Sequence, residues 1–551
     1  MVWSVLVAQV AWKVAGTAGD PLMSTSGLMR QSPVRDQDDL AGRSASRTPF
    51  DDLADWFARV PWCWPVLLTL MLGFYQLSGP ELWRDEIASW MFASRPLPRL
   101  IAATHNTDGT QLPYYLLLHF WIAAFGNSSD AMRTLSVLAM AGAAACVTLV
   151  GRRIAGPRAG LISGLIFALV PSVSRYAQEV RFYSIEVLIA TLATLLLLRA
   201  LDKPAGRRWV GYGLCLAAVG YIDIVGLAVV TGHAVAVALR WQQKRDAGYL
   251  WFIPAASCGT AACLPLALIG TDQAGGQIAW ILRPGLDLTV FSYFARNLFY
   301  STSVAAALIM LAVLAWAFAW RQAAFMAAIA VVPVATVWLA SQGQHAYFFP
   351  RYLLLTVAAW AVLAGIGLSR IDVRAAAAAV LVVAIMSAGD QQVLRTPGAH
   401  NWAYYPVGTG GGYFDYAGAA SLIAGQARPG DGIVYEPVHP YLLIGPAVQY
   451  YLSRDLRRGV SMPRDLFMAE TPEQADSLYP VACADQAACL GHEQRIWVVE
   501  AGHHKTYGPG SLTRTEMALL KGYQVILVRR LSLISVFLLA EPTAPAAPAG
   551  T

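Results

Sequence analysis

Long apolar runs, separated by short polar loops, occupy most of the chain between residues 62 and 389. The runs lie at 62–80, 131–150, 159–174, 184–201, 209–223, 225–240, 249–270, 302–320, 323–340, 352–369 and 373–389. Most approach the length of about 20 residues that a helix needs to cross a bilayer. We therefore predict eleven transmembrane helices.

One further apolar segment, LPYYLLLHFWIAAF at 112–125, does not fit this series. It is short, contains a proline and is rich in aromatic side chains, so we expect an interfacial helix rather than a span. This choice places the basic loops on one side of the membrane. They carry Arg152, Arg153, Arg158, Arg199, Lys203, Arg207, Arg208, Arg240, Lys244, Arg245, Arg321, Arg370 and Arg374. The positive-inside rule then puts the N-terminus inside and the C-terminus outside.

Composition supports a multi-span membrane protein. Of 551 residues, 56% are hydrophobic and only 13% are charged, whereas a soluble domain has about 25% charged residues. This composition excludes a disordered chain, collagen, a coiled coil and a disulfide scaffold. The net charge of +6 is small for the length, and it gives no indication of a nucleic-acid partner.

The two ends of the chain differ from the apolar middle. Residues 1–60 are predicted to be a disordered cytoplasmic tail, and 61–390 the transmembrane domain. Residues 391–540 combine strand-like runs, at 432–435, 495–499 and 523–528, with helical patterns at 415–427 and 512–521. This mixture predicts a small α/β domain outside the membrane. Residues 541–551, rich in Pro and Ala, are expected to be disordered.

Two cysteines stand apart from the five in apolar stretches. Cys483 and Cys489 lie in the polar sequence VACADQAACLG. A local disulfide between them is a reasonable expectation if this region is extracytoplasmic.

The first predicted outer loop begins with an acidic pair, Asp85 and Glu86, in the sequence ELWRDEIASW. Carboxylates so close to a span are costly and need partners. Asp85 could act as the N-cap of a helix, or it could carry chemistry. The two interpretations are compatible, because a helix start also aims the carboxylate.

The same loop continues with a polar stretch and an aromatic pair. His105 and Asp108 could bind a metal ion or a sugar hydroxyl, or they could belong to a solvated turn. Tyr114 and Tyr115 could hold a substrate, although tyrosines also anchor helices at the headgroup level.

A third cluster, RYAQEVRFYS, follows the third apolar run. On a continuous helix, Tyr176, Glu179, Tyr183 and Glu186 would share one face. Arg175 and Glu179 could form only a local ion pair. A carboxylate at Glu186 would lie inside the next span and would need a partner. From this cluster we take Tyr176, Glu179, Arg181 and Tyr183 as candidate substrate-binding residues.

The positive-inside rule disfavours arginine at the outer end of a span, so an arginine there suggests an anionic ligand. Arg351 and Tyr352 stand where a span begins, and Arg283 lies in the loop 271–301. A guanidinium is suited to bidentate phosphate binding, although Arg351 could also simply snorkel towards the headgroups.

Together these groups match the needs of transfer from an anionic lipid. A carboxylate can deprotonate the acceptor, arginines can stabilise a departing phosphate, and aromatic rings can hold a sugar. A divalent metal bound by His105, Asp108 or Glu179 could also hold the phosphate, but their spacing is not diagnostic.

The order of these motifs resembles the GT-C superfamily of polytopic glycosyltransferases over about 60–370. The motifs are Trp-Arg-Asp-Glu, then His-…-Asp-…-Pro-Tyr-Tyr, Gly-Arg-Arg-…-Gly-Pro-Arg-Ala-Gly, Arg-Tyr-…-Glu-…-Arg-Phe-Tyr and Pro-Arg-Tyr-Leu. The chain is most similar to the branch of protein O-mannosyltransferases and the lipid A aminoarabinose transferase. One departure is Gln111-Leu112-Pro113, where that branch usually has His-Pro-Pro or Lys-Pro-Pro.

The resemblance implies a mainly α membrane protein with the GT-C fold. It implies an inverting transfer on the outer face from a polyprenyl-phosphate-linked sugar, with Asp85 as the catalytic base and Arg351 as a donor-phosphate contact. Glu86 would orient Asp85 or bind a substrate. Mannose is the first expectation for the sugar, with arabinofuranose as an alternative. The acceptor could be a protein hydroxyl, a glycolipid or a cell-wall glycan, in the plasma membrane of a bacterium.

Two functions from other classes fit less well. A transporter or flippase of a lipid-linked glycan would place its ionisable residues near the middle of the membrane, in broken helices. Here they gather at one face. A non-catalytic envelope scaffold would not need Asp85.

Overall fold

The computed structural model describes residues 62–400, 412–436, 442–456, 460–502 and 514–541. The predicted tail at 1–60 lies outside these residues, as does the predicted tail at 541–551 except for its first residue.

The described part of the chain is mainly helical as far as residue 393, and each of the apolar runs predicted to span is helical. The α-helices of this part are Cys63–Phe74, Arg84–Ala93, Leu97–Asn106, Leu112–Phe125, Ser129–Ala155, Pro157–Leu169, Pro171–Ala177, Tyr183–Asp202, Gly206–Ile222, Val229–Gln243, Phe252–Ala261, Leu264–Gln277, Leu288–Phe299, Thr302–Ala340, Val357–Leu368 and Val373–Val393. Short 3-10 helices lie at Gly109–Gln111, Val225–Ala228, Ala247–Trp251 and Pro350–Thr356. The segment predicted to be interfacial forms the Leu112–Phe125 helix.

Six helices of the described residues are long and apolar enough to cross a membrane, or eight if two bent pairs each count as one span. The chain is thus a multi-pass membrane protein, but the predicted number of eleven spans is not confirmed.

The Thr302–Ala340 segment corresponds to two predicted spans. A straight helix of its 39 residues would extend about 58 Å, about twice the hydrocarbon thickness of about 30 Å. The backbone is not helical at Ala319. Residues 301–303, at its start, and 348–351, which follow its end, line the same cavity. Gln322, in its middle, bonds instead to Ile154 and Arg370, which do not line that cavity. The segment therefore reverses direction near Ala319.

A bent helix pair brings polar residues to the cavity. Pro157–Leu169 and Pro171–Ala177 meet at 64°, with Pro171 at the break, where its missing N–H favours the start of a new helix. The second helix places Arg175 and Tyr176 on the cavity wall.

The C-terminal region is an α/β unit, as predicted. Its strands are β1 Gly432–Glu436, β2 Arg464–Asp465, β3 Met468–Glu470, β4 Val481–Ala482, β5 Arg495–Ala501, β6 Gln524–Arg530 and β7 Ile534–Ala540, and its α-helices are Tyr416–Gln426, Ile444–Asp455, Gln486–Leu490 and Arg514–Leu519, with a 3-10 helix at Leu520–Gly522. Five strands form a mixed sheet in the order β2-β1-β5-β7-β6. β5 is parallel to β1 and antiparallel to β7. The apolar run 531–540, too short to cross a bilayer, supplies β7.

The expected disulfide is present, between Cys483 and Cys489. It closes a small loop that begins just after β4. The other five cysteines are free thiols.

The C-terminal region packs on the first outer loop. The Tyr451 hydroxyl accepts a hydrogen bond from the Leu82 N–H at 2.7 Å, and the Tyr450 ring meets Trp90 edge-on at 5.0 Å. Further along the loop, Arg95 donates to the carbonyl of Pro472. The acidic pair of the loop is therefore held from two sides, by the helix bundle and by the C-terminal region.

A carboxyl pair lies at this contact. Glu81 accepts a hydrogen bond from the Ala417 N–H at 3.3 Å, beside Asp415, which caps the Tyr416–Gln426 helix. Burial, followed by the neighbouring Asp415 carboxylate, raises the pKa of Glu81 to about 8. Glu81 therefore holds a proton when the two parts are in contact.

Protonation of Glu81 makes this contact pH-dependent. An exposed Glu loses its proton near about pH 4.3, so the contact should be strongest below that pH. It should then weaken by up to about tenfold per pH unit until about pH 8, because the contact binds one extra proton in this window. Hydrogen exchange of the Tyr416–Gln426 helix in the purified full chain measures the effect. Glu81→Gln, which removes the titration, should show no such dependence; an unchanged pH profile in this variant would contradict the assignment.

Candidate functional site

A cavity of about 1260 Å³ opens at the end of the bundle where the polar loops gather. Four arginines share its wall, at positions 175, 283, 296 and 351, together with the carboxylates of Glu179 and Asp390. Aromatic side chains complete much of the rest, including Trp83, Tyr176, Trp280, Tyr293, Phe294, Tyr300, Phe348 and Phe349. Its size and its mixture of cations and rings suit a ligand with an anionic group and an apolar or sugar part.

Arg351 connects this cavity to the acidic pair. It lines the cavity, and its Nη1 donates to the Asp85 Oδ2 at 3.2 Å. Both side chains are 6% exposed. Among the described residues, the cavity lining includes Arg351 and Trp83 but not Asp85.

Aromatic rings fix the Arg351 guanidinium in place. Its central carbon lies within 6.0 Å of five ring centroids, those of Trp83, Tyr183, Trp280, Phe349 and Tyr352. Cation–π attraction is favourable at these distances. The predicted neighbour Tyr352 is thus in place as part of this cage.

Asp85 is ionised in this environment. Its other oxygen accepts from Arg84 Nη1 at 2.9 Å. Burial alone would raise the pKa of the Asp85 carboxyl. Three nearby guanidinium groups, those of Arg351, Arg181 and Arg84, outweigh burial and hold that pKa below its usual range. Asp85 is the second residue of the Arg84–Ala93 helix, so it is not the N-cap that the sequence suggested.

Glu86 lies in a different environment, and its side chain is fully buried. Its carboxylate accepts from Arg133 Nε at 3.0 Å and from Arg133 Nη2 at 2.9 Å. It also accepts from the backbone N–H groups of Val180, at 2.9 Å, and Trp83, at 3.3 Å. Arg133 outweighs the effect of burial and lowers the pKa of Glu86. Glu86 therefore fits a role in holding the loop better than direct contact with a substrate.

Arg133 is the centre of this network. Beyond Glu86, it donates to the carbonyl oxygens of Leu77 and Pro80, each at 2.8 Å. His400, which follows the last helix of the bundle, lies 3.5 Å from Glu86. Burial lowers the pKa of His400 to about 3, so the ring is neutral at physiological pH.

Glu179 is also paired. It accepts from the Trp83 indole at 2.8 Å and from Arg175 Nη1 at 2.9 Å. The local Arg175–Glu179 ion pair considered from the sequence is therefore present. Burial raises the pKa of Glu179, partly offset by Arg175. Because Glu179 and Trp83 both line the cavity, their bond helps to shape its wall.

The predicted shared face of Tyr176, Glu179, Tyr183 and Glu186 does not exist on one helix. The helix ends at Ala177 and a new one begins at Tyr183. Packing restores part of the grouping, since the Tyr176 and Tyr183 rings meet edge-on at 5.2 Å. The partner expected for Glu186 is not found among the described residues, where neither of its carboxyl oxygens has a hydrogen bond.

A second group lies around Arg181. Asp108 has a left-handed backbone, with φ of 58°, and accepts from the Tyr115 hydroxyl at 3.0 Å. Arg181, which is half-buried, approaches the same hydroxyl at 3.4 Å and Ser89 at 3.5 Å. Since Arg181 also acts electrostatically on Asp85, this group adjoins the acidic pair.

Two other candidate residues, Tyr114 and His105, form no hydrogen bond with this group among the described residues. Tyr114 is fully buried, with its ring against Phe182. His105 is exposed at the end of the Leu97–Asn106 helix, where its carbonyl accepts from Gln273. The solvated-turn interpretation thus suits His105 better than Asp108.

The metal site suggested by the sequence receives no geometric support. The described residues contain no cluster of three or more His, Cys, Asp or Glu that could hold a metal ion. Asp108 bonds to Tyr115, and Glu179 bonds to Trp83 and Arg175. These residues do not converge.

Arg283 lines the cavity, as predicted for a donor-side residue, and is exposed there. Sequence reasoning missed Arg133 as a site residue, and it missed Arg296 as part of the cavity wall. The signal for Arg133 was available, because it is a cation at the start of an otherwise apolar helix and therefore needs a partner. His400 gave no such signal.

Comparisons with known proteins show which family and which fold the chain resembles. Residues 112–245 match the family model described as dolichyl-phosphate-mannose-protein mannosyltransferase. The crystal structure of ArnT from Cupriavidus metallidurans in the apo state aligns with a TM-score of 0.57 and 12% identity, covering 88% of this chain and 98% of ArnT. The structure of the same protein bound to undecaprenyl phosphate aligns with the same TM-score and coverage and 14% identity. No curated protein sequence matches the chain.

The chain therefore has the GT-C fold seen in ArnT, with a mainly helical bundle and a small C-terminal sheet. The matches confirm the predicted resemblance to the GT-C glycosyltransferases.

The buried Glu86–Arg133 pair should be a major source of stability. Arg133→Gln is expected to destabilise the protein by about 3–5 kcal/mol, because it leaves a fully buried carboxylate without its partner. Thermal unfolding of the purified protein in detergent measures the loss. The matched control is Arg99→Gln, which breaks an exposed pair with Asp476 and should cost less than about 1 kcal/mol. Equal losses in the two variants would contradict this role.

Proposed function

We propose that the protein is an inverting glycosyltransferase that moves a sugar from a polyprenyl-phosphate donor to an acceptor hydroxyl on the outer face of a bacterial plasma membrane. The observation that carries the proposal is the position of Arg351, which contacts the Asp85 carboxylate and also lines the large cavity. Such an arrangement holds a phosphate next to a general base.

The cavity wall supports a lipid-linked anionic donor. Its arginines supply charge for one phosphate group, since guanidinium groups bind phosphate bidentately. Its mouth is apolar, because Leu282, on the wall, is 84% exposed, and the nearby Leu288 is also 84% exposed. An isoprenoid chain could cover these side chains while its phosphate reaches Arg351. The bound lipid in the similar ArnT structure, undecaprenyl phosphate, has this chemistry.

The distribution of cations supports the outer location of the cavity. At the end of the bundle that carries the basic loops, Arg153 pairs with Asp202 and Arg158 bonds to the Ile371 carbonyl. By the positive-inside rule, that end faces the cytoplasm. The cavity and the C-terminal region lie near the other ends of the same helices, and we therefore place both, including residues 391–540, outside the cytoplasm.

The proposed reaction is a single displacement. The acceptor oxygen attacks the anomeric carbon while its proton passes to the Asp85 carboxylate. The bond from that carbon to the phosphate oxygen breaks, and the phosphate leaves with the electron pair beside Arg351. A single displacement inverts the anomeric centre, and it needs no covalent intermediate.

The remaining candidate residues fit supporting roles. Tyr176 and Glu179 would contact the sugar from the cavity wall, with Tyr183 supporting the Tyr176 ring and Arg283 nearer the mouth. On the other side of Asp85, the Arg181, Tyr115 and Asp108 group would meet the acceptor. Mannose is the proposed sugar, on the strength of the match over 112–245.

Asp85→Asn should fold and bind the donor at least as well as the parent protein, but it should lower turnover by about 10²–10⁴-fold, the usual contribution of a general base. The measurement is sugar transfer by the purified protein in lipid, from polyprenyl-phospho-mannose to a panel of acceptors. Asp130→Asn is the matched control, because Asp130 is an exposed carboxylate in the first turn of the Ser129–Ala155 helix and should leave turnover unchanged. Normal turnover by Asp85→Asn would refute the proposed base.

Arg351→Ala should weaken binding of the donor by roughly 1.5–3 kcal/mol, the value of one hydrogen bond to a charged group. Binding of undecaprenyl phosphate to the detergent-purified protein, followed by native mass spectrometry, gives the change in affinity. If Arg351→Ala bound this lipid as tightly as the parent protein, Arg351 would not be the phosphate contact.

A further inference from the structure

We propose that the donor phosphate and the Asp85 carboxylate compete for Arg351, so that arrival of the donor releases the general base. This regulation rests on the proposed function, since it requires a phosphate in the cavity. It links binding of the donor to deprotonation of the acceptor, because the base becomes available when the leaving group is in place.

The geometry that supports the exchange is the position of a single guanidinium. Arg351 contacts Asp85 at 3.2 Å, and it also forms part of the cavity wall. Its surrounding rings keep its central carbon in one place. A phosphate bound through the cavity would therefore meet a cation that already has a carboxylate partner.

Electrostatics determines whether a bound phosphate raises or lowers the basicity of Asp85. While Arg351 is paired with Asp85, its charge disfavours protonation of the carboxylate and makes Asp85 a weaker base. The phosphodiester of the donor carries one negative charge, as a carboxylate does, and its oxygens can take hydrogen bonds from the same guanidinium. When the phosphate neutralises Arg351, the carboxylate regains its basicity. Arg84, at 2.9 Å from the other carboxylate oxygen, would keep Asp85 ionised until the acceptor proton arrives.

Thermodynamic linkage turns this exchange into a binding measurement. If the phosphate weakens the hold of Arg351 on Asp85, then removal of the Asp85 charge must strengthen phosphate binding by the same factor. Coupling between charged residues in direct contact commonly reaches about tenfold. Asp85→Asn keeps the size of the side chain and removes its charge. Its effect on phosphate binding therefore measures the coupling between the phosphate and the Asp85 charge.

The test is a double-mutant cycle in the full-length protein with undecaprenyl phosphate as the probe. We expect Asp85→Asn to bind this lipid about tenfold more tightly than the parent protein. In the Arg351→Ala background, Asp85→Asn should have no further effect, because the shared cation is gone. Asp130→Asn controls for net charge on the outer face, and undecaprenol, which lacks the phosphate, should not distinguish Asp85→Asn from the parent protein.

The outcomes separate the exchange from the proposed function. Equal affinity of the parent protein and Asp85→Asn would overturn the exchange and leave the donor site intact. The exchange would also be wrong if Asp85→Asn tightened binding equally with and without Arg351, since that result indicates a general charge effect. Absence of any binding by the correctly folded parent protein would overturn the donor site itself. Retained thermal unfolding midpoints establish that each variant is folded.

Discussion

The buried ion pair between Glu86 and Arg133 is the interaction on which the rest of the site depends. Both side chains are without exposure, and each is expensive to bury alone. Their pairing is completed by backbone groups from three parts of the chain: the carbonyls before the outer loop, the N–H of Trp83 and the N–H of Val180. The network therefore fixes the start of the Arg84–Ala93 helix, and with it the direction of Asp85.

Two adjacent carboxylates thus have separate tasks, determined by their surroundings. Glu86 points into the protein and is saturated with hydrogen bonds, whereas Asp85 points to Arg351 at the cavity wall. Of the two roles expected for Glu86 from the sequence, orienting Asp85 fits these contacts better than binding a substrate. The partner of Asp85 is Arg351, a cation of the cavity wall that the proposed donor can reach.

The C-terminal region is part of this organisation. Tyr451 and Ala417 bond to residues just before Asp85, and His400, in the connection from the bundle, contacts Glu86. The outer loop is thus held between the bundle and the sheet region. The region 391–540 was expected to be a separate domain with an open role, and its contacts indicate that it helps to position the loop.

The sequence by itself determined the membrane class, the helical runs, most strands of the C-terminal sheet and the resemblance to the GT-C glycosyltransferases, because hydrophobic periodicity and motif order are local properties. It also identified Asp85 and Arg351, which are 266 residues apart, but only as separate candidates. Tertiary structure decided that they touch, that Glu86 is buried against Arg133, and that a helix break divides Tyr176 from Tyr183. The reason is physical: the partner of a buried charge is chosen by packing across the whole chain, and no local pattern contains that information.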